Sequence, residues 1–316
     1  MKTNTKIILK TLAAAAGWLL VTVTFSMAQN VSDLIDRGER AGMDRDRLMG
    51  VVERAEGQNY NPEDISGLLE PAINLAENNL PYEFVIQKSM EGMAKRVPAE
   101  NVRMVLGDFE RGITRSAEII DPWLEDEGVR SAVERQMQGR DQDEAMAQMR
   151  SNLIQSSAQA LQQNVGEENL SSFLTEVTQI SGQRNVSVTA VASAIRVMSD
   201  LPTSGEHPEM SNQILVNAIK SGFSAHQMQQ LPSAMNAAQF FSQLPAESIG
   251  RGISEQMARG TPGHQVLENL FQGDVRGGPP GFVPPGLDGT PGRGRDGDDD
   301  RRGPPIDPPG GPPGGN

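Results

Sequence analysis

From Asn30 to Phe271 the apolar residues recur every three or four positions, with charged or polar residues between them. That is the period of an amphipathic helix. No β-branched run alternates over several residues, so strands are not expected. Asn30 to Arg40 reads as a short first helix ended near Gly42. Asp44 to Ala55 reads as a second, with Leu48, Val51, Val52 and Ala55 on one face and Gly57 closing it. Asn61-Pro62-Glu63-Asp64 starts a third, Asn as the cap and Pro at the first helical position. Pro71 interrupts its apolar run, which predicts two short helices or one kinked helix.

Asn79 to Phe109 carries the clearest unit. Pro81 and Glu83 suit a helix first turn, where a missing N–H costs nothing and a carboxylate meets the positive helix end. Val85, Ile86, Met90, Met93 and Ala94 form its apolar stripe, and Lys95 and Arg96 sit in its last turn. Pro98 opens a partner helix with Val102, Val105 and Leu106 as its stripe. The unit returns at Gln243 to Phe271. Shifted by 164 positions, Leu80, Pro81, Glu83, Glu91, Met93, Ala94, Pro98 and Val102 meet identical residues at 244, 245, 247, 255, 257, 258, 262 and 266.

The middle, about 110–182, departs from this unit. Asp121-Pro122-Trp123 reads as a restart of the chain. Val129, Val133 and Met137 mark a helix broken at Gly139. Asp141 with Glu144 reads as a capping box for what should be the longest helix, through Met146, Met149, Leu153, Ile154, Leu161 and Val165. Glu167 to Ser181 follows, then a helix capped by Ser187, a loop over Leu201 to His207, and a helix from Pro208 to Lys220. Phe223 to Gln230 and Pro232 to Ser242 repeat the kinked arrangement of Tyr60 to Glu77. Two helices in about 37 residues is the spacing of an α-solenoid. The expected fold is therefore an all-α, solenoid-like array of helix–turn–helix units over 29–271.

The two ends read differently. Lys2, Lys6 and Lys10, the apolar run Ile7 to Phe25 and the small-residue site Ser26-Met27-Ala28 describe a secretory signal over 1–28, with mature protein from Gln29. The protein is thus expected to be exported, periplasmic or extracellular, with no stable membrane insertion after cleavage. From Gln272 to Asn316 there are 11 Pro and 14 Gly in 45 residues. Such a segment buries too little to offset its chain entropy, which predicts a disordered tail over 272–316 that the 29–271 body does not need in order to fold.

Charge narrows the function classes. The net charge of −13 becomes −16 without the three lysines of the signal. An acidic surface with so few aromatic residues argues against nucleic acid and anionic membranes. The absence of cysteine excludes disulfides, thiolate metal sites and a cysteine nucleophile.

No candidate chemistry stands above its structural explanation. Glu83 and Glu247 fall in helix first turns. Glu91 precedes Lys95 by four and Glu255 precedes Arg259 by four, the favourable order for a helix ion pair. His207, His226 and His264 share no ligand spacing. Met90/Met93 and Met146/Met149 could hold Cu(I) but lie on core stripes. Asp296, Asp298, Asp300 and Asp307 match positions 1, 3, 5 and 12 of a calcium loop, yet Arg301 stands where that loop needs Gly. No catalytic, cofactor-binding or metal residue is therefore assigned, and no cofactor is expected.

The run LPxE…EGMAKRVPxE resembles exported bacterial helical proteins of unassigned function that carry helix–turn–helix units and a Gly/Pro-rich C-terminus. The resemblance covers mainly 41–109 and 185–300 and implies no activity. The array is also similar in outline to TPR and HEAT repeats, without the TPR pattern of Trp, Leu-Gly and Tyr. The expectation is an envelope interaction or scaffolding module, its partner a protein or a cell-envelope component. The alternatives are an enzyme acting on cell-wall polymer through a poorly marked site, and a structural envelope protein.

Overall fold

The computed structural model describes residues 30–136, 141–181 and 186–275. The expected signal over 1–28, the Pro/Gly-rich tail beyond Val275 and its Asp296–Asp307 run lie outside them. Within the described residues the chain is an all-α array of 13 helices without strands. They are α1 (30–40), α2 (Arg45–Glu56), α3 (Pro62–Glu77), α4 (Glu83–Ala94), α5 (Ala99–Glu125), α6 (Glu127–Gln136) and α7 (Gln142–Gln162). After these come α8 (Glu167–Ser181), α9 (Val188–Val197), α10 (Pro208–Lys220), α11 (Ala225–Ser242), α12 (Ala246–Ala258) and α13 (Gly263–Phe271), with a 3-10 turn at Met198–Asp200.

Packing separates the helices into two layers. In one, α3, α5, α7, α9, α11 and α13 each lie against the next. In the other, α2 packs on α4, and α6, α8, α10 and α12 pack in succession. One connected core runs from Leu34 to Leu270. The array therefore continues through the described residues of 110–181, where the sequence repeat is lost. The period is visible in bonds between units: Arg37 donates to Asn74 and Asn74 to Glu110, 37 and 36 residues apart.

The connectors show why a variable sequence keeps this arrangement. Besides Gln243-Leu244, six helix ends carry a residue at positive φ followed by an apolar one: Gly42-Met43, Asn59-Tyr60, Asn79-Leu80, Arg96-Val97, Asn164-Val165 and Gly222-Phe223. In each, the two N–H groups turn back onto carbonyls of the last helical turn. The apolar residue then seats against the helices, and a cap, Pro or Gly begins the next element. Connectors also stack, for the Tyr60 hydroxyl donates to the Val97 carbonyl at 2.9 Å.

Arg96 is the costly member of this set. It is exposed and sits at φ +55°, where a Cβ is strained, whereas its counterpart one copy later is Gly260 at φ +81°. Arg96→Gly is expected to raise the unfolding free energy by ~0.5–1 kcal/mol and Gly260→Ala to lower it by about 1 kcal/mol. Urea melts measure both; a destabilised Arg96→Gly protein would show that the Arg96 side chain contributes a contact of its own.

Several expectations need correction. Pro122 does not restart the chain but lies inside α5, whereas Pro71 and Pro232 lie inside α3 and α11, the single-helix alternative of the two expected there. α5 and α11 each lie between two neighbours of their layer and α3 packs on α2, α4 and α5, so packing offsets the lost backbone bond. The longest helix is thus α5, with 27 residues against 21 in α7. Pro81 lies outside α4, whose cap is Tyr82, and Ala94 of its supposed stripe is exposed. Val105 is also exposed. Met137 and Gly139 lie outside the described residues.

Candidate functional site

The recurrent acids do not form a site. Glu91 pairs with Lys95 at 2.6 Å, as its spacing predicts, and also with Lys88 at 2.8 Å. Hydrogen bonds from the two ammonium groups, Lys88 first, hold its carboxyl well below the usual range, at about 2. Glu255 pairs with Arg259 at 2.8 Å, and Glu247 pairs with Arg251, which lowers its carboxyl. Glu83 stands exposed at the first position of α4. The two copies sit apart, α4 against α2 and α5, α12 against α10 and α13.

The other candidates are equally dispersed. His207 precedes α10 with Glu209 at 3.5 Å, His226 meets Gln230 at 3.3 Å and His264 is exposed on α13. Among the described residues no three His, Asp or Glu side chains gather as a metal site. Met93 is fully buried, and Met90, Met146 and Met149 pack against the core.

What the structure does assemble is a polar groove along α7. Asp141 caps the helix, accepting from the Glu144 N–H at 3.5 Å; only this half of the expected capping box forms. Leu153 and Ile154 anchor it in the core, and the small buried residues Ser156, Ser157, Ala158 and Ala160 let neighbouring helices approach. Its two main neighbours are α5 and α9. Gln148, Asn152, Gln155, Gln159 and Gln162 follow one another at intervals of four, three, four and three. That spacing puts five carboxamides on one helix face.

Two cavities open along this face. One, of about 480 Å³, is lined by Gln155, Gln159, Gln162 and Gln163 with Phe84, Lys88 and Phe109. The other, of about 660 Å³, is lined by Gln148 and Asn152 with Gln136, Met149, Thr189 and Ser193. Arg196, from the last turn of α9, lines both. The Phe84 and Phe109 rings meet edge to face at 4.9 Å, and the Lys88 ammonium lies 5.4 Å from the Phe84 ring centre.

The electrostatics of the groove oppose those of the chain. Neither cavity is lined by a carboxylate, although the chain as a whole is at −13. The charged lining groups are Lys88, already paired with Glu91, and Arg196, whose guanidinium reaches the Ser156 hydroxyl at 3.4 Å. Among the described residues Arg196 has no ion pair, and Gln159 and Gln162 have no side-chain hydrogen bond. A carboxamide offers two donors and an acceptor at once, so this row can bond a ligand that presents both kinds of group.

Reading α7 only for its apolar stripe missed this site. The four-three spacing of its amides was the available signal, but the flanking helices that turn that face into a groove come from 84–113 and 188–196. No family model, curated protein or solved structure matches the chain.

Proposed function

We propose that the chain is an exported, envelope-associated interaction module that holds an extended polypeptide segment along α7. The observation carrying this reading is the carboxamide row from Gln148 to Gln162 in a carboxylate-free groove. An extended peptide leaves its N–H and C=O groups unpaired along its length, and a row of groups that donate and accept can satisfy both. Phe84 and Phe109 supply an apolar edge for side chains, and Arg196 supplies a cation for an acidic residue or a chain end. Stacked helix pairs also provide a long rigid surface, which lowers the ordering cost on the protein's side.

Affinity capture from the native envelope tests it, using the full mature chain and a Gln155→Glu, Gln159→Glu, Arg196→Glu variant. All three positions face solvent or the groove, so the variant is expected to melt within a few degrees of the parent. A partner held by the parent and lost at least tenfold by the variant, and displaced by a synthetic peptide cut from that partner, supports the groove. Equal capture by both proteins overturns it. Hydrolysis of envelope polymer that survives in the parent and fails in the variant would put the enzyme reading in its place.

A further inference from the structure

The second unexplained surface lies where the described chain ends. Phe240, Phe241 and Phe271 are 72%, 57% and 44% exposed, conspicuous in a protein whose other large apolar side chains are mostly buried. Phe240 and Phe241 close α11, with ring centres 5.4 Å apart. Phe271 closes α13, which packs beside α11. The chain then runs across this patch: Gly273, at φ +76°, lies so close that an added Cβ would come within 2.7 Å of the Phe241 Cβ.

Size decides between occupants. At about 200 Å² for a whole aromatic side chain, the three rings expose roughly 350 Å². A stable complex needs about 800 Å² from each partner, so a second copy of the chain is poorly served by this patch alone. A single short apolar segment fits it. Seven residues beyond Val275 stands Phe282, followed by Val283 and flanked by prolines in Pro279-Pro280-Gly281-Phe282-Val283-Pro284-Pro285. No charge falls between Gly277 and Leu287, whereas the rest of the tail is rich in Asp and Arg. Seven residues span up to about 24 Å, more than the width of two packed helices.

We infer that Gly281–Pro285 docks on the Phe240, Phe241 and Phe271 patch and caps the last unit of the array. Proline restricts the free segment, so less freedom is lost on docking. A solenoid gains from such a cap, because among the described residues no helix follows α13 to cover it.

The cysteine-free chain allows a clean test. Asn236, one turn before Phe240, and Val283 are changed to cysteine in the full mature protein, and the effective concentration of the pair is measured against a glutathione buffer. The same measurement is repeated with Phe282→Ser added, a change in the tail that leaves the helical array intact. Docking predicts an intramolecular disulfide whose effective concentration falls at least fivefold when Phe282 is replaced. An unchanged effective concentration would mean simple tethering and overturns the inference. Disulfides formed mainly between molecules would also overturn it, in favour of a second copy on the patch.

Discussion

Phe223→Ala is expected to lower the unfolding free energy by about 4 kcal/mol, within the range found for burying and then deleting an aromatic ring. Phe223 is 2% exposed and follows Gly222 in the connector after α10. Its ring occupies the space that Gly263 leaves open at the start of α13: a Cβ there would lie 2.7 and 2.8 Å from two ring carbons. The connector between α10 and α11 is thus wedged against the array's last helix. Truncation removes the wedge and leaves a cavity that the flanking helix ends cannot fill without moving their caps. Filling the same space from the other side should also be costly. Gly263→Val should lose ~1–3 kcal/mol by overpacking. Urea unfolding of both variants decides the matter, and a loss below about 1.5 kcal/mol for Phe223→Ala would show that the connector is not held by its ring.

Arg150→Ala should cost about 2–3 kcal/mol, the largest effect expected from any polar residue here. Its guanidinium makes a two-pronged bond to Asp121, Nε to Oδ1 at 2.6 Å and Nη2 to Oδ2 at 2.8 Å, and its Nη1 donates to the Asn79 carbonyl at 2.8 Å. One side chain therefore fastens α7 to α5 and to the connector between α3 and α4. With side-chain exposures of 29% and 39%, the pair is partly screened, and the figure is set below that for a fully buried pair. Arg150→Lys should recover less than half, because an ammonium cannot reach both carboxylate oxygens and the carbonyl in one plane. A double-mutant cycle with Asp121→Ala should give a coupling of at least ~1 kcal/mol. A coupling near zero would assign the loss to packing of the Arg150 stem alone.

These two residues mark where the sequence is legible. Phe223 belongs to a local pattern: a residue able to adopt positive φ, an apolar residue, then a cap or Pro. Asp44, Asn61, Asp141, Ser187 and Ser224 all accept from backbone N–H groups at helix starts. Caps and apolar periods are decided within a few residues, so they are written in the sequence and read from it directly. The Glu91–Lys95 and Glu255–Arg259 pairs are legible for the same reason, being one helical turn apart.

Arg150 belongs to the other kind. Its partners lie 29 and 71 residues away, and no local pattern identifies them. The prolines at 71, 122 and 232 fall in this class too. Taken alone each should break or kink its helix, yet packing against neighbouring helices keeps α3, α5 and α11 continuous. The carboxamide row on α7 was visible as spacing, but its meaning was not. Any exposed helix face can carry glutamines, and only the placement of α4, α5 and α9 beside α7 makes this one the wall of a groove. By itself the sequence determined most of the helices, their caps and their period, because those depend on backbone bonding and burial over one or two turns. The tertiary structure decided the continuity of the array through the described residues of 110–181, the Arg150 clamp and the groove, because each depends on residues far apart in the chain that meet only when the layers stack.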